Sequence, residues 1–229
     1  MFRAIRNLFS ARNKGALSLS FAETTTMKIL HIDSSILGDH SVSRQLSAET
    51  VAREKAAHPG ATVTYRDLAA NPVPYLTGEH MAAFQGAPVT NAALADDLAT
   101  GNGYIDDLLA ADIIVIGAPM YNFSVPAQLK SWIDRVVVAG RTFRYGAAGP
   151  EGLLPKDKKA FIISTRGGVY TGDSPAAALD YQEKYLGAVL AFIGLTDVTW
   201  IRAEGLALGQ DAKDAAIVQA QGEIAHLSA

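Results

Sequence analysis

Five short apolar runs, each followed by a stretch long enough for a helix, constrain this chain more than any other feature. The clearest run is Asp112-Ile-Ile-Val-Ile-Gly117, which has no polar alternation and reads as a parallel strand buried on both faces. The others are Lys28–Ile32, Thr62–Arg66, Ala160–Ser164 and Asp197–Ile201. Helices are expected near Ser43–Ala57, from Pro126 to Gly140, near Ala176–Phe192 and over Asp211–His226. The second of these carries Leu129, Trp132, Ile133, Val136 and Val137, spaced three and four apart on one face. A longer stretch from Asn71 to Gly86 precedes a further helix ending near Ala111. Strands and helices that alternate in this way fold as an α/β layer, a parallel sheet covered on both sides.

Right-handed crossovers leave few topologies for such a chain. Five strands fit the doubly wound, flavodoxin-like order 2-1-3-4-5, whose ligand crevice lies beyond the carboxyl ends of strands 1 and 3. The loops after strands 1, 3 and 4 are therefore expected to carry the function. With 229 residues, 49% of them hydrophobic and 19% charged, the chain can bury a full core. Residues 27–229 read as one domain. Residues 1–26 read differently, with Arg3, Arg6, Arg12 and Lys14 standing against Glu23 alone. That leader resembles an organellar transit peptide, but an upstream start with Met27 as the working start is the simpler reading. Either way it is expected to be poorly ordered and to lie outside the fold.

Several function classes drop out. A net charge of −3 gives no reason to expect a nucleic acid or an anionic membrane as partner. No apolar run approaches the ~20 residues that span a bilayer. The absence of cysteine removes disulfides, thiolate metal sites and cysteine nucleophiles, and is compatible with the expected cytoplasmic location. The five histidines show no metal-ligand spacing, so no metal site is expected.

The three loops have distinct chemistry. After strand 1, Ser35, Ser41 and Ser43 place hydroxyl donors just before a helix N-terminus, which suits a terminal phosphate. Plain capping by Ser41 or Ser43 is the competing explanation. Neither a G-x-G-x-x-G nor a G-x-x-x-x-G-K-[ST] pattern occurs there. After strand 3, Ala118-Pro-Met-Tyr-Asn-Phe-Ser-Val-Pro126 offers an aromatic, an amide, a thioether and backbone N–H groups, but no strong acid or base. That inventory suits a flat heteroaromatic cofactor better than attack on a substrate. After strand 4, Gly167 and Gly168 permit close backbone approach, Arg166 could place charge near a developing anion, and Tyr170 could donate to a ring carbonyl. The competing explanation is a glycine turn with a solvated arginine.

Taken together these segments resemble the FMN-dependent NADH-azoreductase and NADH:quinone oxidoreductase family. The resemblance rests on Ser34-Ser-Ile-Leu37, Ser41-x-Ser43, Arg66-Asp-Leu-Ala-Ala-Asn-Pro72 and Ala118-Pro-Met-Tyr-Asn-Phe123. It continues through Gln128-Leu-Lys130, Thr142-Phe-Arg-Tyr145, Gly149-Pro-Glu-Gly-Leu153 and Arg166-Gly-Gly168, in family order. The resemblance implies FMN as cofactor, its phosphate held by Ser35, Ser41, Val42 and Ser43. It places Met120, Tyr121, Asn122 and Phe123 against ribityl and isoalloxazine, and Thr165, Arg166, Gly167 and Gly168 at the isoalloxazine edge. It implies a homodimer in which an aromatic of the partner, Phe143 or Tyr145, covers the flavin. Two electrons would pass from NADH or NADPH to a quinone or azo compound by ping-pong kinetics, with no protein nucleophile. Thr165 stands where some relatives carry serine, and Tyr170 where some carry histidine, so a proton-donating role for Tyr170 is in doubt. Two alternatives fit the sequence less well. A response regulator would need an aspartate where strand 3 ends in Ala118-Pro119. A flavodoxin-type electron carrier would usually show a strongly acidic face, unlike a net charge of −3.

Overall fold

The computed structural model describes residues 26–227, so the expectation about the leader falls almost entirely outside it. The chain runs β1 (Lys28–Asp33), α1 (Val42–Ala57), β2 (Thr62–Asp67), α2 (Gly78–Phe84), α3 (Ala92–Ala110), β3 (Ile113–Pro119) and α4 (Ala127–Val136). It continues through β4 (Phe143–Gly146), β5 (Gly149–Gly152), β6 (Lys159–Thr165), α5 (Tyr181–Ile193), β7 (Asp197–Ala203) and α6 (Gln210–Ala225). The main sheet has the order β2-β1-β3-β6-β7, and its pairings are all parallel. Counting only its own strands, this is the expected 2-1-3-4-5 order.

Each face of the sheet buries its own core. Leu30, Ile32, Ile114, Ile116 and Ile162 pack against α3, α4 and α5 through Ile105, Leu108, Leu129, Trp132 and Leu190. On the opposite face Ile29, Val115, Phe161, Ile163 and Ile201 meet Leu46 and Val51 of α1 and Ala220 and Ile224 of α6. Successive strand residues point to opposite faces, so one apolar run feeds both cores. Each fully buried side chain of this size contributes about 1.5–3 kcal/mol relative to exposure. Close strand approach also sets a limit at Gly117, where an added Cβ would lie 2.4 Å from the Asp33 carboxylate.

Three local features depart from expectation. The α4 helix ends at Val136, four residues short of Gly140. The Thr142 hydroxyl donates to the Val136 carbonyl at 2.6 Å and accepts from the Val138 N–H at 3.0 Å, which takes up groups the next turn would need. The Asn71–Gly86 stretch contains a short helix, α2, opened by a reciprocal pair of bonds between Thr77 and His80. The segment after α4 forms an antiparallel hairpin, β4–β5, that packs on the end of α5. A Cβ at Gly152 would sit 2.1 Å from the Gly194 nitrogen, so that contact requires glycine.

Candidate functional site

The carboxyl ends of β1, β3 and β6 bring three loops around one cleft of about 230 Å3. Of the residues singled out from the sequence, Ser35, Ser41, Val42, Met120, Thr165, Arg166 and Gly167 line it, whereas Ser43, Tyr121, Asn122, Phe123 and Gly168 are not among its lining residues. Pro119 of the loop after β3 lines it too, as do Leu37, His40, Leu206 and Lys213, which the sequence reading did not single out. Lys213 lies in the first turn of α6, a helix whose apolar pattern gives no hint that it borders the cleft.

The loop after β1 is held from beneath. The Ser34 hydroxyl donates to the Gly117 carbonyl at 2.7 Å, which ties the ends of β1 and β3 together. The Ser35 hydroxyl is buried, accepts the Leu37 N–H at 3.3 Å and lies 3.3 Å from the Tyr121 hydroxyl. Ser41 caps α1 by accepting the Arg44 N–H at 3.3 Å, and its hydroxyl lies 3.0 Å from that of Ser43. Capping is thus present, and both serines remain beside the open first turn of α1. Among the described residues, the Val42 and Ser43 N–H groups have no protein acceptor, as the first turn of a helix dictates. Arg44 grips the Ser35 carbonyl through Nε (3.1 Å) and Nη2 (2.8 Å) while pairing with both oxygens of Asp67. That hydrogen-bonded guanidinium, working against burial, brings the Asp67 carboxyl down to about 2.

The loop after β3 is a tight reversal. Tyr121 and Ser124 exchange backbone hydrogen bonds of 2.9 and 3.2 Å around Asn122 and Phe123. Both central residues have positive φ, 49° for Asn122 and 72° for Phe123. Asparagine tolerates that region, but a phenylalanine there is a backbone outlier of the kind that clusters at ligand clamps. The Tyr121 hydroxyl reaches back to accept the Ile36 N–H at 3.2 Å, so it joins the first loop to the second. The Phe123 ring meets that of Tyr170 edge-on, with centroids 6.3 Å apart.

The loop after β6 presents amides. The carbonyls of Arg166, Gly167 and Gly168 accept from the N–H groups of Leu206, Ala207 and Gly205 at 2.9–3.0 Å. With three consecutive carbonyls turned toward the β7 side, the Gly167 and Gly168 N–H groups have no protein acceptor among the described residues. The Arg166 side chain corrects the expectation placed on it. It is fully buried and does not offer its charge to a ligand. Its guanidinium pairs with Asp180 (3.1 Å), Glu204 (3.1 Å) and Glu183, and Nε lies 3.0 Å from both Ser164 Oγ and Gln182 Oε1. Gln182 in turn donates to the Ala118 carbonyl at 2.6 Å, which links the ends of β3 and β6. Arg166 therefore meets the cleft from below as a scaffold.

The two candidate flavin covers separate. Phe143 is only 8% exposed and packs on Phe192 with ring centroids 4.6 Å apart, so it is a core residue and unsuited to reaching a second subunit. Tyr145, on the same hairpin, is 76% exposed. Among the described residues no cluster of acidic residues and histidines could hold a metal, and no helix is long and apolar enough to cross a membrane.

Comparison with known proteins agrees with this geometry. A family model described as "Flavodoxin-like fold" matches residues 27–227. A Rhizobium meliloti (strain 1021) protein named FMN-dependent NADH:quinone oxidoreductase is 55% identical over 199 residues, covering 87% of this chain and 96% of its own. One of the same name from Azospirillum brasilense is 54% identical over 200 residues, covering 86% and 96%. The crystal structure of an azoreductase from Bacillus anthracis str. Sterne superposes with a TM-score of 0.79 at 31% identity, over 87% of this chain and 97% of that one. The chain belongs to the flavodoxin-like fold family, and within it to the group of the FMN-dependent NADH:quinone oxidoreductases and azoreductases.

Proposed function

We propose that this protein is an FMN-dependent oxidoreductase that passes two electrons from NADH or NADPH to quinones and azo compounds. The supporting observation is that three loops line one cleft. The hydroxyls of Ser35 and Ser41, the start of α1 at Val42, Met120, and Gly167, whose N–H has no protein acceptor among the described residues, border the same cavity. A phosphate fits the Ser41–Ser43 end, where hydroxyls stand beside the open first turn of α1. Ser35 adds a third hydroxyl there, and Val42 an N–H.

Bound FMN supplies the redox chemistry, and the chain orients it and shapes its electrostatics. The Gly167 and Gly168 N–H groups, which have no protein acceptor among the described residues, would serve as donors to the bound cofactor, as in an oxyanion hole. Tyr121, Asn122 and Phe123 form a wall, fixed by the reversal at positive φ, that orients the flat ring. Phe123 and Tyr170 frame the open side where donor and acceptor bind. One open face admits one flat ligand at a time, so the two substrates alternate in a ping-pong scheme. No acid or base of the chain is required for that exchange. We further propose a cytoplasmic homodimer in which the exposed Tyr145 covers the cleft of the second copy.

Initial rates measured against NADH at several quinone concentrations test the scheme. Parallel double-reciprocal lines are expected, whereas intersecting lines would require a ternary complex. Electron exchange with protein partners alone, without steady NADH oxidation, would point to a flavodoxin-type carrier.

A further inference from the structure

The helices α1 and α6 lie side by side on one face of the sheet, and two bonds fix their register. The Gln221 amide donates to the Glu49 carboxylate at 2.9 Å, and Arg53 donates to the Leu227 carbonyl at 2.8 Å. Both pairs advance together, so the helices run in the same direction. The partners stand 172 and 174 positions apart. Each helix rises about 1.5 Å per residue, so the same offsets carried back bring Lys213 level with Asp39–Ser41, at the start of α1. Side chains lean toward the N-terminus of their helix, which here is the cleft end, and Lys213 lines the cleft together with Ser41 and Val42. Farther along α6, Ala216, Ala220 and Ile224 pack on α1. Lys213 breaks a local rule, because a cation in the first turn of a helix faces the positive end of its dipole. It is half-buried, and no ion pair or side-chain hydrogen bond involves it among the described residues. The adjacent Asp214 accepts from Gln210 at 2.8 Å instead. Arg44 is already committed to Asp67 and the Ser35 carbonyl, and His40 is exposed. No carboxylate lines the cleft, although Asp33 and Asp39 border a neighbouring cavity that shares Ser41.

We propose that Lys213 is a specificity-determining residue, whose ammonium meets the terminal phosphate of FMN and makes the cleft favour the phosphorylated flavin over riboflavin. This rests on the reading of the cleft as a flavin site with the phosphate at Ser41. A phosphate monoester carries a charge of about −1.5 to −2 at pH 7. Serine hydroxyls add donors but no charge, and a helix N-terminus supplies the equivalent of about half a positive charge. The group is left short of neutrality. An ammonium with no protein partner supplies the missing charge without breaking an existing pair. The phosphate in turn offsets the repulsion between Lys213 and the α6 dipole.

FMN and riboflavin differ only in that phosphate, so the pair isolates its contribution. Wild-type and Lys213→Met apoproteins are titrated with each flavin while its fluorescence is followed. Lys213→Met keeps an apolar stem and removes the charge. It should weaken FMN binding about tenfold, the size of one charge-assisted hydrogen bond, and leave riboflavin binding unchanged. Added salt should weaken FMN binding to the wild type more than to Lys213→Met, because salt screens the attraction between charges. Unchanged FMN affinity in Lys213→Met would overturn the inference. So would an equal loss for FMN and riboflavin, which would make Lys213 a packing residue, or the same salt dependence in both proteins. Wild-type protein that binds neither flavin would instead overturn the reading of the cleft as a flavin site.

Discussion

The two ends of the cleft are built on opposite principles. At the proposed phosphate end the loop is carried by an ion pair close to solvent, Arg44–Asp67, with side-chain exposures of 16% and 19%. At the ring end the loop is carried by Arg166, whose side chain is wholly buried among Asp180, Glu183 and Glu204. A buried charge among partners is destabilising to disrupt, because the carboxylates left behind lose their counter-ion in a medium that hydrates them poorly. A pair near water relaxes when broken, because solvent takes over. The Arg166 end is thereby the more firmly held, which suits the role proposed for its amides. The phosphate end is held more lightly and relies on hydroxyls and a helix terminus.

The largest effect should come from the ring end. Arg166→Ala leaves three carboxylates facing one another and should cost about 3–5 kcal/mol of stability. Thermal unfolding of the apoprotein checks this, and a change near zero would mean that the cluster is incidental. The phosphate end should respond to acid by less. The Asp67 carboxyl is held at about 2 against an ordinary 3.8, so its contribution is present above pH ~4 and is lost as the pH falls toward 2. That contribution is about 2 kcal/mol. Denaturant titrations between pH 5 and 2 should show the loss, and Asp67→Asn should flatten that part of the profile. Replacing Ser41 and Ser43 together with alanine should weaken FMN binding about tenfold, near 1.4 kcal/mol. Unchanged affinity would reduce these serines to helix caps. The smallest effect is expected between the two ends. Phe123→Gly relieves positive φ at a residue 44% exposed, and should stabilise the apoprotein by about 1 kcal/mol while loosening the wall of the cleft.

The sheet was legible in the sequence because strands buried on both faces are written as unbroken apolar runs, and β3 is the plainest case. The α4 helix was legible from the spacing of Leu129, Trp132, Ile133 and Val136, all of them buried. Its true end was not, since the stop comes from the Thr142 hydroxyl six residues beyond Val136. The α2 helix escaped notice because it is only seven residues long and its capping partner is His80 instead of the usual Glu or Gln. The β4–β5 hairpin has glycine at Gly146, Gly149 and Gly152 and shows no alternation. At the cleft, Ser35, Ser41 and Gly167 could be placed from motif and loop position alone. What could not be read was where Arg166 points. Its fate depends on Glu204, 38 residues away in the sequence, and a single acid after a strand leaves no local pattern. Phe143 was misjudged for a related reason, because its burial depends on Phe192 in a distant helix.

The central claim, that the cleft at the ends of β1, β3 and β6 holds FMN for hydride exchange with a nicotinamide, is tested most directly by an anaerobic titration. Apoprotein is loaded with FMN, freed of excess cofactor, and titrated with NADH and NADPH while the flavin absorbance is followed. The account predicts stoichiometric FMN, bleaching by one equivalent of the preferred nucleotide, and full return of colour on adding a quinone. A colourless protein that cannot be loaded, or bound flavin that neither nucleotide reduces, would contradict it.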